Sequence, residues 1–265
     1  MVLLMMAREF SKLELNAPFP LEIDGIGHIR CPTVQDITKC RVRITDSAVL
    51  YAEDAYNYYL ELLVISKAKV LERYSPVFEE DVLEKLDKLS LFCVLILIPD
   101  LREQLTKTFN FFFEEDVVFD LDTNAFRVFH EYSEEVGVIC NDNFIDVRNL
   151  ILKRVHISPP KVVDGKRRSK KMIEFDKKIE AGRKHSRRYQ IDQAAMEIGN
   201  IVSKVASKAN AADINDVYGW TIYQLYEQFS EINVGIQIDT ILKRWSTWGK
   251  DDFDFSVWYK PNNSD

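Results

Sequence analysis

The reading starts from residues 218–260, YGWTIYQLYEQFSEINVGIQIDTILKRWSTWGKDDFDFSVWYK. All four tryptophans of the chain lie here (Trp220, Trp245, Trp248 and Trp258), with four of its eleven tyrosines. Tyr218, Ile222, Leu225, Tyr226 and Phe229 recur at the spacing of one helical face, with Trp220 and Tyr223 on another. Val234, Ile238, Ile241, Leu242 and Trp245 repeat the pattern and predict a further helix. Phe253, Phe255, Val257 and Tyr259 then alternate with Asp252, Asp254 and Ser256, which is the period of a strand. So apolar a stretch needs a cover. One helix face is read as core. Trp220, Tyr223, Trp245, Trp248 and Trp258 are the candidate partner-binding residues, because indole and phenol rings bury much area at low entropic cost.

Outward from this segment, composition sets the class. The chain has 265 residues, 46% hydrophobic and 12% aromatic, with only 9 Gly and 8 Pro. That is enough apolar surface for a packed core, and too few turn residues for a β-sandwich. The predicted class is α+β and mainly helical. An N-terminal domain, 1–158, carries two short β-hairpins. A basic linker or charged helix follows at 159–189, and a C-terminal helical aromatic module with an extended tail at 190–265. The net charge of −7 is uneven. Residues 161–188 hold twelve Lys/Arg against four Asp/Glu, a local +8, which leaves −15 for the remainder.

In the N-terminal part, residues 19–23 and 26–30 alternate around Asp24-Gly25, a hairpin signal. Thr33 with Asp36 reads as a capping box for a short helix to Cys40. Asp46 or Ser47 caps a long amphipathic helix running to Tyr74. A third helix carries Val82, Leu86, Leu89, Cys93 and Ile96 and ends at Pro99, and residues 101–113 are helical. A second hairpin is predicted at 117–121 and 126–129. A helix bearing Phe144, Val147, Leu150 and Ile151 closes the domain before Pro159-Pro160. After the belt, Ile191, Ala194, Ala195, Ile198, Val202 and Val205 mark one more helix.

Motifs of catalysis and metal binding are missing from the sequence. The four histidines, His28, His130, His156 and His185, form no H-x-x-H pattern, and Cys31, Cys40, Cys93 and Cys140 no C-x-x-C pair. The cysteines are read as free thiols of a reducing compartment. Asp24-Gly25-Ile26-Gly27 lacks the third glycine and the helix of a phosphate loop. The carboxylate pairs Glu114/Glu115, Glu134/Glu135 and Asp251/Asp252 are read as solvated surface. The expectation is a protein that is not an enzyme and needs no cofactor or metal. The longest apolar run, Leu91 to Ile98, is too short for a membrane span, and the apolar N-terminus lacks the basic region of a secretory signal. Arg167, Arg168, Lys170, Lys171, Arg183, Lys184, Arg187 and Arg188 suit contact with phosphates or with an acidic partner. The acidic remainder argues against nucleic acid.

Two stretches carry a resemblance. One is Gly25-Ile26-Gly27-His28-Ile29 through Pro32-Thr33 to Ile37, ahead of a tyrosine-rich helix. The other is Trp220 through Tyr223-Gln224-Leu225-Tyr226 to Phe229, with Trp258-Tyr259-Lys260 near the end. Together they resemble tail assembly chaperones from the tail-gene clusters of phages and prophages of Gram-positive bacteria. The resemblance implies a non-enzymatic role in the cytoplasm of the bacterial host. The implied partners are other tail proteins, above all the long helical tape measure protein, and self-association is compatible with it. A structural component of the virion tail or baseplate is the alternative, and nucleic-acid binding through the belt a third reading.

Overall fold

The structure is a computed structural model that describes residues 10–45, 47–130, 134–159, 178, 197–208 and 213–249, without the side chain of Trp248. The chain is mainly helical α+β, as its sequence predicts. The basic-belt residues Arg167, Arg168, Lys170, Lys171, Arg183, Lys184, Arg187 and Arg188 lie outside the described residues, as do the aromatic tail and Trp258.

The first hairpin is β1 (Leu21–Ile23) with β2 (Gly27–Ile29), antiparallel, its turn supported by positive φ at Gly25 and Gly27. It follows a short helix, α1 (Lys12–Asn16). Thr33 caps α2 (Val34–Lys39) through the Thr33/Asp36 box read from the sequence. The next expectation needs correction. Residues 41–51 form a second hairpin, β3 (Arg41–Thr45) with β4 (Ala48–Tyr51), where a helix start was predicted. The predicted helix to Tyr74 is two, α3 (Ala52–Val64) and α4 (Lys67–Tyr74). Buried Arg148 explains the break. Its guanidinium donates to the carbonyls of Leu63 and Ile65, so the end of α3 is capped by a cation. Ser66 then caps α4.

Likewise the predicted third helix is divided into α5 (Glu80–Asp87) and α6 (Leu91–Leu97), because the Ser90 hydroxyl accepts from Cys93 N–H and starts a new helix. Helix α7 (Pro99–Phe112) buries Leu101, Leu105, Phe109 and Phe112 on one stripe. The second predicted hairpin is a three-stranded antiparallel sheet, β5 (Asp116–Asp120), β6 (Ala125–His130) and β7 (Glu134–Ile139), in that order. Phe126 and Val128 of β6 face the core. Phe126 meets Phe109 edge-on at 5.0 Å between ring centroids, and Phe92 lies 5.2 Å from Phe144 of α8 (Phe144–Arg154).

Past the basic belt come α9 (Ile198–Lys208), α10 (Ile214–Tyr218) and α11 (Ile222–Trp248). Ile198, Ile201, Val202 and Val205 are buried, and the Glu53 carboxylate accepts from Ile198 N–H at 3.2 Å. One hydrophobic core runs from Leu21 to Leu225 and includes Val217, Ile222 and Tyr223. The described residues of the expected C-terminal module thus pack against the N-terminal elements rather than apart from them. The two helices predicted at 218–229 and 234–245 are one. No proline interrupts 222–248, and Gly235 is carried inside the helix.

Candidate partner-binding site on the last helix

Helix α11 is anchored at its start. Thr221 caps it through a box with Gln224, and Thr33 caps α2 in the same way. The two caps lie side by side in an isolated bridge. Ile222 N–H donates to Pro32 C=O, and Val34 N–H to Trp220 C=O, each at 2.9 Å. Gln224 also donates to the Asn16 carbonyl at 3.1 Å. Three elements are therefore fixed around the first turn of α11.

Over the following turns the buried face meets a small polar latch. Glu227 is almost fully buried and bridges two cations, or potential cations. It pairs with Lys12 of α1 and faces His156 Nε2 at 3.3 Å. The hydrogen bond to Glu227 raises the Lys12 pKa against the smaller opposing effect of burial. His156 holds a positive φ of 61° and stacks on Tyr226 at 6.0 Å, with its edge toward Tyr223 at 5.2 Å. A shallow groove of about 370 Å³ opens beside this latch, lined by Asn16, Trp220, Gln224, Glu227 and Gln228.

Beyond Ile232 the helix leaves the core. Ile236 is 50% exposed, Ile241 43% and Trp245 48%; Val234 and Leu242 are half-buried and Ile238 is buried. Gly249 ends the helix in the left-handed region, its N–H bonded to the Trp245 carbonyl. Leaving such side chains in water is unfavourable by roughly 25 cal/mol per Å² of apolar surface; Ile241 and Trp245, one turn apart, form a single exposed apolar face, and Ile236 lies on the opposite side of the helix.

The candidate residues therefore separate. Trp220 lines the groove and Trp245 is on the emergent half of α11. Tyr223 is corrected: it is 4% exposed and belongs to the core, and burial raises its pKa. The helical wheel misplaced it because a second face of α11 is also covered, by His156. Trp248 lies in α11 with its side chain outside the described residues, and Trp258 lies outside them altogether. Ile236 was not singled out from the sequence, since it falls off the apolar stripe through Val234, Ile238 and Ile241. Asn16 and Glu227 gave no sequence signal at all, as their partners are more than 70 residues away.

Among the described residues no group of three His, Cys, Asp or Glu is placed to hold a metal ion, and no helix is long and apolar enough to cross a membrane.

Comparison with known proteins bears on this same segment. Residues 187–263 match the family model of the YomV second domain, a phage-derived family. The match spans α9, α10 and α11 and under a third of the chain. In this segment the chain is thus similar to a domain of a prophage protein. The chain has no match among curated proteins or among solved structures.

Proposed function

We propose that this is a phage tail assembly protein that acts without catalysis, in the cytoplasm of the bacterial host, by binding other tail proteins. The emergent half of α11 carries this reading: Ile241 and Trp245 stand exposed one turn apart on a helix whose base is locked into the core. A rigid apolar helix face suits an amphipathic helix of a client, taken up as in helix-in-groove recognition. The client that fits is the tape measure protein, a long helical chain named by the resemblance at the two ends of this sequence. The phage-derived family matched by residues 187–263 supports the setting. Net negative charge of the body favours basic stretches of the client and speeds encounter at low salt.

The test is co-purification of the tagged full chain with a tape measure protein from a phage tail-gene cluster. Wild type retains the client, and Ile241→Asp combined with Trp245→Asp loses at least about tenfold of that retention, since charges in an apolar contact are unsolvated. Wild type that fails to retain the client sinks the function. Equal retention by the variant sinks the site. Mass spectrometry of purified particles separates this role from that of a virion component, which stays in the particle.

A further inference from the structure

The groove at the base of α11 is a second surface, apart from the exposed face of Ile241 and Trp245. Asn16 of α1, Trp220 and the first turns of α11 enclose about 370 Å³, within the roughly 300–1,000 Å³ of ligand sites. Leu13 stands three residues before Asn16 and so shares its face of α1. It is 81% exposed, more than any other large apolar side chain among the described residues. The α1 side of the groove therefore has an apolar rim, and Trp220 supplies an aromatic wall.

Hydrogen-bonding capacity in this groove is left over. The Gln224 amide donates to the Asn16 carbonyl at 3.1 Å and accepts from Thr221 N–H at 3.1 Å, which leaves it one N–H and one lone pair. Among the described residues no hydrogen bond reaches the Gln228 amide or the Trp220 indole N–H. The Asn16 side-chain oxygen is withdrawn from water and has no hydrogen-bond partner. Buried acceptors are nearly always paired in folded proteins, so this oxygen marks a place for a ligand's donor.

The chemistry of the walls selects the ligand. Glu227 is already paired with Lys12, so the groove favours neither an anion nor a cation. Its polar groups are carboxamides, each both donor and acceptor, as a peptide group is. Gln224 and Gln228 are one turn apart, about 6 Å along the helix axis. Groups on one side of an extended chain repeat at nearly the same interval, roughly 6.6 Å. A sugar ring could use the amides and the indole but would gain nothing from Leu13, whereas an apolar side chain of a peptide is covered by it.

We propose that this groove binds a short extended peptide segment of the client. Its main chain lies on the amides of Gln224 and Gln228, and an apolar side chain lies between Leu13 and Trp220. The inference rests on the reading that the chain binds other tail proteins, and it gives that client a second contact, extended where the one on the exposed half of α11 is helical.

Overlapping synthetic peptides spanning a tape measure protein, labelled for fluorescence polarisation, test this on the full chain. Wild type binds a subset of them. Trp220→Ala and Gln228→Ala each weaken that binding by about tenfold, the first through lost aromatic cover and the second through lost main-chain bonds. Gln228→Ala keeps the melting temperature of wild type, because no bond within the described residues is removed. A wild type that binds no peptide overturns the proposal, as does equal binding by both variants. Loss through Ile241→Asp instead places the peptide on the exposed half of α11 and also overturns it. So does a groove that takes maltooligosaccharides and no peptide. Retention of the whole tape measure protein by the same preparation shows, in each of these cases, that the groove has failed and the function has not.

Discussion

Arg154 offers the most demanding test of how the binding helix is held. It ends α8, is fully buried, and donates to the carbonyls of Glu14 at 2.9 Å and Leu15 at 2.7 Å, and to that of Phe19. Arg154→Met keeps the aliphatic stem and removes the guanidinium. Three charge-assisted bonds at about 1.5–3 kcal/mol each set a ceiling of roughly 5–9 kcal/mol. Two effects reduce it. The variant no longer desolvates a charge, and the released carbonyls belong to residues that are half-buried or exposed, so water reaches them once α1 lifts. The net loss is about 3 kcal/mol, at the low end for breaking a buried ionic contact. At about 2–4 °C per kcal/mol for a chain of this size, the melting temperature falls by roughly 6–12 °C. Differential scanning calorimetry reads that shift. Hydrogen exchange reads its location, with protection lost first in residues 12–17 and at the Lys12–Glu227 contact. Arg154→Lys recovers only part, since an ammonium lacks the planar fork. A melting temperature within about 2 °C of wild type, with α1 still protected, would refute the reasoning.

Two further outcomes follow from local geometry. His28 Nδ1 lies 2.5 Å from buried Glu115, and the hydrogen bond to that carboxylate raises the His28 pKa above its usual value. The contribution of this pair is complete below the unfolded histidine pKa of about 6.5 and is lost as pH rises through the higher folded value. Urea titrations of wild type across that window show falling stability, and His28→Asn removes this slope; an unchanged slope counts against the pair. Gly235 sits inside α11 with open space where a side chain would go. Gly235→Ala therefore stabilises by about 0.5–1 kcal/mol, read as a rise in melting temperature, whereas a fall would show that the helix is interrupted there.

Much of the helix content was legible because its signals are local. Thr33/Asp36 announces its helix within four residues, and Asp24-Gly25 its turn; the equally local Thr221/Gln224 box went unread. The missed elements depend on distant partners. Residues 41–51 read as a helix approach because Asp46-Ser47 resembles a cap, while the β3–β4 ribbon is held by Tyr58, Tyr59 and Phe111 beneath it. Strand β7 has two leading glutamates and a glycine. Gly137 is required because a Cβ there would lie 2.5 Å from the Gly25 carbonyl oxygen, a contact invisible in sequence. The division of the predicted helix at Ile65-Ser66 is set by Arg148, more than 80 residues later. At the candidate site, Trp220 and Trp245 were singled out by their chemistry, and the structure places the first at the groove and the second exposed on α11. Tyr223 was misjudged because a helical wheel counts one buried face, and α11 has His156 packed on a second.

The two ends of α11 depend on each other. Its emergent half has Ile238 as its one buried side chain among the described residues, and an isolated helix of that length would be marginal in water. It is sustained by propagation from a nucleated base, where the Thr221 cap, the Pro32 bond and the Glu227 latch are already formed. On the proposed function, a client would meet a preformed face and spend little of its binding energy on ordering this protein. The converse also holds. On that proposal, a change that loosens the base, such as loss of Arg154 or of the Lys12–Glu227 pair, would weaken client binding without touching Ile241 or Trp245. Comparing Arg154→Met with Ile241→Asp therefore separates presentation from contact. The first lowers both the melting temperature and client retention, and the second lowers retention alone.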